Sequence, residues 1–153
     1  MNPQKFGTAV NRMYEYNPTI TEQKIPAKFG NDYVKYHRYL LTDAAIDEIS
    51  LDKLPKGINK ENIKQEMKKL CDAIETTKSE AKKLNRRNKF GEYSLESRWN
   101  VENCAEIWAA RNAILKGAKF DNLIFKSVFI QSNQVHTLCE NCKVTFKGHY
   151  IIE

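Results

Sequence analysis

The sequence has no long apolar run, and this absence removes two broad classes of protein. No stretch approaches the roughly 20 consecutive apolar residues of a membrane-spanning helix, and residues 1–7 lack the apolar core of a secretory signal. Internal repeats and low-complexity tracts are absent as well. We therefore expect no membrane partner, and export of this chain would need another route or a larger parent chain.

Cysteine is scarce, with 4 among 153 residues. A chain of this length buries about 68–70% of its unfolded surface on folding, so its stability does not require disulfides or a metal. Three of the cysteines nevertheless fall in the final third, at Cys104, Cys139 and Cys142. A Cys-x-x-Cys pair does not readily form a relaxed structural disulfide. Cys139 and Cys142 therefore indicate metal or redox chemistry.

The composition is that of one soluble globular domain with a basic surface. Hydrophobic residues make up 41% and charged residues 29% of the chain, which are ordinary values. The net charge of +6 fits a polyanionic partner, and it fits a merely solvated basic surface equally well. The excess is local, because the stretch from Lys53 to Lys89 also contains Lys56, Lys60, Lys64, Lys68, Lys69, Lys78, Lys82, Lys83, Arg86 and Arg87.

The first third of the chain carries few periodic signals. Prolines and glycines interrupt residues 1–55, and the tyrosines of this region show no clear period. A short helix is predicted around residues 43–49, with Thr42 as its N-cap. We interpret residues 1–55 as an irregular N-terminal extension that packs on a domain formed by residues 56–153.

A long amphipathic helix follows, with Asn59 as its predicted N-cap. Apolar residues then recur at alternating spacings of four and three, which is the pattern of one helical stripe. The stripe consists of Ile63, Met67, Leu70, Ile74, Thr77, Ala81 and Leu84. Cys71 lies beside this stripe, so we interpret it as a small buried apolar residue and not as a ligand.

The final third alternates helices and strands. A second helix is predicted for residues 104–117, ending at Gly117, with Asn103 as its N-cap. Residues 122–130 form the strongest predicted strand, and their apolar run suits a strand covered on both faces. A short helix over 140–147 and a last strand over 149–152 follow. This order of elements predicts an α/β fold.

Two short motifs in this final third carry the chemistry. They are Cys104-Ala-Glu106 and Cys139-Glu-Asn-Cys142, and together they match the residue pattern of zinc nucleobase deaminases. Thiolates are suitable zinc ligands, and catalytic zinc keeps a fourth position open for water. Both motifs fall at predicted helix N-termini, where the helix dipole favours deprotonated thiols. We therefore predict Zn²⁺ bound by Cys104, Cys139 and Cys142.

Glu106 is the predicted catalytic residue. Residues two apart within a helix diverge by about 200°, so Glu106 reaches the metal pocket only if Cys104 is still partly extended at the helix entry. There Glu106 would accept a proton from water, pass it to a ring nitrogen and assist the departure of ammonia. The alternative is a first-turn acid that only interacts with the helix dipole.

Other interpretations of the cysteines stay open. A lone Cys-x-x-Cys pair also occurs in redox sites and zinc knuckles. A closed structural zinc site needs a fourth ligand, which Cys71, His136 or His149 would have to supply. For His136 we favour a solvated loop residue. A zinc-stabilised interaction module without chemistry is therefore the alternative of another class.

Two longer runs of the sequence contain these motifs. They are Ser97-Arg-Trp-Asn-Val-Glu-Asn-Cys-Ala-Glu-Ile-Trp-Ala-Ala-Arg-Asn-Ala-Ile-Leu-Lys-Gly-Ala118 and Cys139-Glu-Asn-Cys-Lys-Val-Thr-Phe-Lys-Gly148. Both resemble the YwqJ-type deaminases, which are C-terminal toxin modules of bacterial polymorphic toxin systems. The resemblance implies a cytidine-deaminase-like fold, a mixed sheet with helices packed on it and zinc at the N-termini of two helices. It matches Cys104, Cys139 and Cys142 to the zinc ligands and Glu106 to the proton shuttle.

The resemblance also implies a biological setting. It implies a secreted or delivered toxin that acts in the cytoplasm of a target cell, and a cognate immunity protein that blocks the active site. A deaminase takes its base unpaired, from a single strand or by flipping, and we predict conversion of cytosine to uracil in nucleic acid. Adenine, or a free nucleoside or nucleotide, stays open as the substrate.

Three residues just before the zinc helix are the candidate substrate contacts. They are Arg98, Trp99 and Asn100. Trp99 either stacks on a base or packs under the loop that contains it, and the two alternatives are equally favoured. The basic residues of the long helix would hold phosphates.

Overall fold

Helices form most of the regular structure in the part of the chain that the computed structural model describes, residues 26–30, 32–128 and 134–152. The helices are α1 (Tyr33–Leu40), α2 (Asp43–Asp47), α3 (Lys60–Lys83), α4 (Ala105–Leu115) and α5 (Glu140–Thr145). Two-residue strands accompany them: β1 (Ile124–Phe125), β2 (Ser127–Val128), β3 (Val135–His136) and β4 (Tyr150–Ile151). In these ranges, no helix combines the length and the apolarity that a membrane crossing requires.

The described strands form two small sheets. β1 pairs in parallel with β4, so that Phe125 faces Ile151. β2 pairs antiparallel with β3, with Ser127 opposite His136. Helices combined with a parallel strand pair confirm the α/β class at this coarse level, whereas the mixed single sheet is not seen among the described residues.

The long strand predicted over residues 122–130 is wrong in two respects. Residues Phe120–Asn122 form a 3-10 turn, and the strand that follows is divided at Lys126. The division has a physical cause, because the chain changes its hydrogen-bonding partner there from β4 to β3. The last two residues of the predicted strand, 129–130, lie outside the described residues.

The long helix α3 agrees with its predicted start and its predicted apolar face. The side chain of Asn59 accepts a hydrogen bond from the backbone N–H of Asn62 and so caps the helix. The predicted stripe is buried along its length, with the exception of its last member. Leu84 is 61% exposed, because the helix ends at Lys83 and the side chain no longer faces the core.

Helix α4 begins one residue later than its predicted cap implies. Cys104, with φ −68° and ψ 140°, is the N-cap residue, so the assignment of Asn103 to that position is wrong. Asn103 instead ends the 3-10 turn Val101–Asn103, and its amide contacts Nδ1 of His37 at 2.7 Å. The helix is buried on most sides, as is typical of a central core helix, and Trp108 belongs to that core.

The last helix and strand match the prediction closely. Helix α5 covers Glu140–Thr145 within the predicted 140–147, and Cys139 is its N-cap. Strand β4 falls inside the predicted 149–152. Helices α4 and α5 both pack on α3, so the starts of α4 and α5 are held against one common element.

The interpretation of the N-terminal third as irregular is wrong for residues 33–40, which form α1. Asp32 caps this helix by accepting from the N–H of Lys35. The predicted short helix that follows Thr42 is confirmed as α2, with Thr42 as its cap. Leu41 and Ile46 of this region belong to the same hydrophobic core as α3 and α4. Residues 1–25 lie outside the described residues, and the boundary at residue 55 stays a prediction.

Candidate metal centre

Three cysteine sulfurs meet where the starts of α4 and α5 come together. The Sγ atoms of Cys104, Cys139 and Cys142 all lie within 4.8 Å of one another, and Cys104 and Cys139 are 3.3 Å apart. Tetrahedral zinc with Zn–S bonds of about 2.3 Å separates two sulfur ligands by about 3.8 Å. The cysteines are free thiols and not disulfides. Their spacing therefore allows this cluster to hold a metal ion.

The two helix starts position these sulfurs. Cys104 and Cys139 are N-cap residues with extended backbone angles, and Cys142 lies in the first turn of α5. The Sγ of Cys139 accepts a hydrogen bond from the backbone N–H of Cys142 at 3.4 Å. Unpaired N–H groups and the helix dipole at both starts favour negative charge on the sulfurs. The predicted placement of the cysteine cluster at two helix N-termini is therefore observed.

The thiols influence one another strongly. A hydrogen bond with Cys104 and a second with Cys142 lower the pKa of the Cys139 thiol. The same bond with Cys139 raises the pKa of Cys104, and burial raises the pKa of Cys142. Ionisation of one thiol therefore opposes ionisation of the other two. A bound dication would supply the charge needed to hold three thiolates together, and this donor set suits zinc.

Glu106 lies beside the sulfur cluster, in the first turn of α4. Its Oε2 accepts a hydrogen bond from the Cys142 thiol at 3.4 Å, and its Oε1 accepts one from Ser127 Oγ at 2.8 Å. The side chain is only 6% exposed, and burial raises the pKa of its carboxyl group. Because Cys104 is extended at the helix entry, as the motif spacing requires, Glu106 reaches the same pocket as the sulfurs. It is not one of the three residues whose ligand atoms converge there, Cys104, Cys139 and Cys142.

Two polar residues of the site were missed by the sequence analysis. Ser127 of β2 binds Glu106, and its only sequence signal is a polar residue inside an apolar run. Asn141, which lies between the paired cysteines, is fully buried and joins α5 to the loop between α3 and α4. Its Oδ1 accepts from the N–H of Leu95, and its Nδ2 donates to Ser94 Oγ. Both residues hold the elements of the site together.

The three candidate substrate contacts occupy different environments. Arg98 is exposed, whereas Asn100 is 2% exposed and accepts a hydrogen bond from Asn88 Nδ2. Trp99 is half-buried and packs against the core, and its indole N–H donates to Cys104 Sγ at 3.1 Å. Their participation in substrate binding stays a prediction.

The suggested fourth zinc ligands lie elsewhere or outside the described side chains. Cys71 is half-buried on α3 with its thiol near the carbonyl of Leu41, and burial raises its pKa to about 11. His149 donates through Nε2 to the carbonyl of Phe120. Neither residue belongs to the cluster of Cys104, Cys139 and Cys142. The side chain of His136 lies outside the described residues.

The basic cluster of α3 is largely paired with acids. Its ion pairs within the described residues include Lys64 with Asp47, Lys68 with Asp72, Lys69 with Asp121, Lys78 with Glu102 and Lys83 with Glu80. These pairs offset part of the local positive charge. The cluster is therefore a weaker candidate for phosphate binding than the sequence alone indicates.

Comparisons with known proteins give no relative for this chain. No protein-family model, curated protein or solved structure matches it. The arrangement of Cys104, Cys139, Cys142 and Glu106 therefore carries the functional assignment.

Proposed function

We propose that this chain is a zinc-dependent nucleobase deaminase, in which Cys104, Cys139 and Cys142 hold the metal and Glu106 carries the protons. The observation that supports the proposal most is the buried carboxyl group of Glu106 beside three converging sulfurs but outside their group. A purely structural zinc site has four protein ligands, whereas a catalytic site has three and a free position. Three cysteines with an adjacent, separate carboxylate correspond to the second case.

Zinc held by these sulfurs would act as a Lewis acid that makes a water molecule easier to deprotonate. Three thiolates donate more charge than three imidazoles, so this acidifying effect is smaller than in an all-histidine site. The proton acceptor therefore matters more here. Burial raises the pKa of the Glu106 carboxyl group, and a higher pKa suits a group that both accepts and donates a proton.

Glu106 would carry two protons in turn during the reaction. It takes one from the attacking water and donates it to the ring nitrogen of the base. After the carbon–oxygen bond forms, Glu106 would take the remaining proton from the new hydroxyl group and transfer it to the exocyclic amine. The carbon–nitrogen bond would then break, which releases ammonia and leaves the carbonyl group. Water and cytosine thereby give uracil and ammonia. Ser127 would hold the Glu106 carboxyl group in position through both transfers.

The proposal includes the family. We propose that the chain adopts the cytidine-deaminase-like fold and belongs with the YwqJ-type deaminases. Support comes from the paired motifs at two helix starts, Cys104-Ala-Glu106 and Cys139-Glu-Asn-Cys142. With the family comes the proposal of a toxin delivered into the cytoplasm of a target cell and neutralised by an immunity protein.

Cytosine in nucleic acid is the proposed substrate, and the net charge of +6 supports a polyanionic partner. Adenine and free nucleosides or nucleotides are the competing substrates. Incubation with single-stranded DNA, duplex DNA, RNA and free nucleosides, with uracil and inosine as readouts, distinguishes them. Uracil in a nucleic acid is the expected product.

The decisive variant is Glu106→Gln, which keeps an acceptor for Ser127 but cannot carry a proton. We expect stoichiometric zinc in the wild type and in the variant, and a loss of roughly 10²–10⁴-fold in deamination rate. Metal content and product formation are measured on the same samples. Asp72→Asn, which alters an exposed carboxylate on α3, is the control and keeps full activity.

Two outcomes would contradict the proposal. Loss of zinc in Glu106→Gln would make Glu106 a ligand. Zinc-loaded wild type that deaminates none of the substrates would favour the alternative, a zinc-stabilised interaction module.

A further inference from the structure

The indole N–H of Trp99 points at a candidate metal ligand. Its Nε1 lies 3.1 Å from Cys104 Sγ, and the N–H is directed at the sulfur. Cys104 is 3% exposed, so this contact is sheltered from water. The Trp99 ring packs against the hydrophobic core that surrounds the cysteines. Both ends of the side chain are therefore engaged within the protein.

These contacts favour one of the two roles considered for Trp99. A platform for base stacking needs a ring face that is open to the ligand. Here the ring is half-buried and its only donor is already directed at sulfur. Trp99 thus has the placement of a side chain that acts on Cys104.

An N–H donor has a definite effect on a metal-bound thiolate. It withdraws charge from the sulfur lone pairs and stabilises the thiolate as a ligand. Cys139 Sγ accepts a comparable bond from the backbone N–H of Cys142 at 3.4 Å, and Asn141 Nδ2 lies 3.9 Å from Cys104 Sγ. Such donors would offset part of the charge that three thiolates bring to one ion. They would leave the metal a stronger Lewis acid than the sulfurs alone allow.

We infer that Trp99 is a positioning residue of the metal centre, which fixes Cys104 and lowers the electron donation of its sulfur, and that it is not a base platform. The inference rests on the proposed metal site and does not depend on which base is deaminated. It adds a hydrogen-bonding shell, formed by Trp99 and Asn141, to the ligand set.

Cobalt substitution tests this role without an activity assay. Tetrahedral Co²⁺ bound by thiolates shows sulfur-to-cobalt charge-transfer bands, whose energy reports the charge on the sulfurs. In Trp99→Phe we expect these bands at lower energy than in the wild type, because the sulfur loses its donor. Affinity for the metal should fall about 10-fold, the lower end of the effect of removing an outer-shell partner.

Trp108→Phe is the matched control. Trp108, the other tryptophan of the chain, is buried, and its Nε1 has no hydrogen-bond partner among the described residues. It should therefore leave the cobalt spectrum unchanged. If Trp99→Phe fails to fold, benzothienylalanine incorporated in place of tryptophan in the Trp108→Phe background removes only the N–H of Trp99 and keeps the ring shape.

The outcomes separate this inference from the proposed function. A Trp99→Phe spectrum and affinity identical to the wild type would overturn the inference while the metal site stands. An unchanged spectrum together with a raised KM for substrate would show that Trp99 stacks on the substrate base instead. Failure of wild-type protein to bind Co²⁺ or Zn²⁺ would remove the metal site and the inference together.

Discussion

Glu102 and Glu106 are two buried carboxyl groups four positions apart in the chain, and their surroundings are opposite in kind. They are 4% and 6% exposed. Glu102 receives hydrogen bonds from Arg38 and from Lys78. Glu106 receives one from a serine hydroxyl and one from a cysteine thiol, and no cation pairs with it among the described residues.

The two pKa values shift in opposite directions as a result. Burial opposes ionisation of Glu102, but hydrogen bonds and charges from Lys78 and Arg38 outweigh it and lower its pKa. For Glu106 burial dominates and raises the pKa. The surroundings of Glu102 thus favour its charged form and join α1 to α3, whereas the surroundings of Glu106 favour its neutral form. Neighbouring groups, and not burial, decide which role each carboxyl group has.

The largest effect is expected when a sulfur next to Glu106 is removed, as in the variant Cys139→Ser. Loss of a residue that only hydrogen-bonds to a metal ligand weakens metal binding by about 10- to 100-fold. Removal of the ligand itself should weaken it by more than about 100-fold and should abolish deamination. The variant should also lose the stability that bound metal supplies. Metal content and thermal unfolding with added zinc measure both. Cys71→Ser, outside the cluster, is the control and keeps its metal. A stoichiometrically loaded, equally stable Cys139→Ser protein would show that this sulfur is no ligand.

Glu102→Gln should produce the next largest effect, and the effect is on stability. The amide keeps the shape but leaves Arg38 and Lys78 without their buried counter-charge. We expect the free energy of unfolding to fall by about 2 kcal/mol, less than for a fully buried pair because both cations are partly exposed. Urea unfolding measures it. Glu75→Gln, which alters an exposed partner of the same Lys78, should change stability by less than about 0.5 kcal/mol.

The pH dependence of the same variant sharpens the comparison. Because the folded pKa of Glu102 is lowered, its contribution is present above the unfolded value of about 4.3 and is lost as pH falls through the folded pKa. The difference in stability between wild type and Glu102→Gln should therefore shrink in acid. A difference that stays constant down to the acid range would show that charge at Glu102 is not what stabilises the fold.

Ser127→Ala should have the smallest effect, and on the reaction alone. Ser127 donates a hydrogen bond to Glu106 and is not a proposed metal ligand. We therefore expect kcat to fall about 10-fold, which corresponds to the loss of one hydrogen bond. KM and zinc content should stay unchanged. Ser79→Ala on the exposed side of α3 is the control. If KM rose and kcat did not fall, Ser127 would be a substrate contact and not a positioning residue of Glu106.

The sulfur cluster was predictable because its signals are local. The spacing within Cys104-Ala-Glu106 and within the Cys139–Cys142 pair depends on the first turn of a helix, and helix starts are marked in sequence. The cap of α3 at Asn59 and its apolar face were predictable for the same reason. At α4 the preference for asparagine at a helix N-cap predicted Asn103. That side chain instead contacts His37, which is 66 positions away, and the N-cap residue is Cys104.

The remaining contacts of the site depend on distant residues. Ser127 meets Glu106 across 21 positions, and Asn141 meets Leu95 across 46. No periodicity indicates such pairs. The prediction of one strand over residues 122–130 is wrong for a related reason. The change of pairing partner at Lys126 depends on the positions of β3 and β4, which are distant in sequence. Helix α1 was not predicted because its tyrosines show no helical periodicity and because Asp32 was not recognised as an N-cap.

The ion pairs of Glu102 connect helix α1 to the cysteine cluster at the start of α4. Glu102 lies in the 3-10 turn that leads into Cys104, and α1 supplies one of its two cations, Arg38. His37 of α1 also makes a T-shaped ring contact with Trp108 on α4, with the ring centroids 4.6 Å apart. A fragment that started at residue 56 would retain all four cysteines yet lose Arg38, one of the two cations that anchor this turn. We therefore expect the proposed zinc site to bind metal more weakly in such a fragment, although the excision removes none of its proposed ligands.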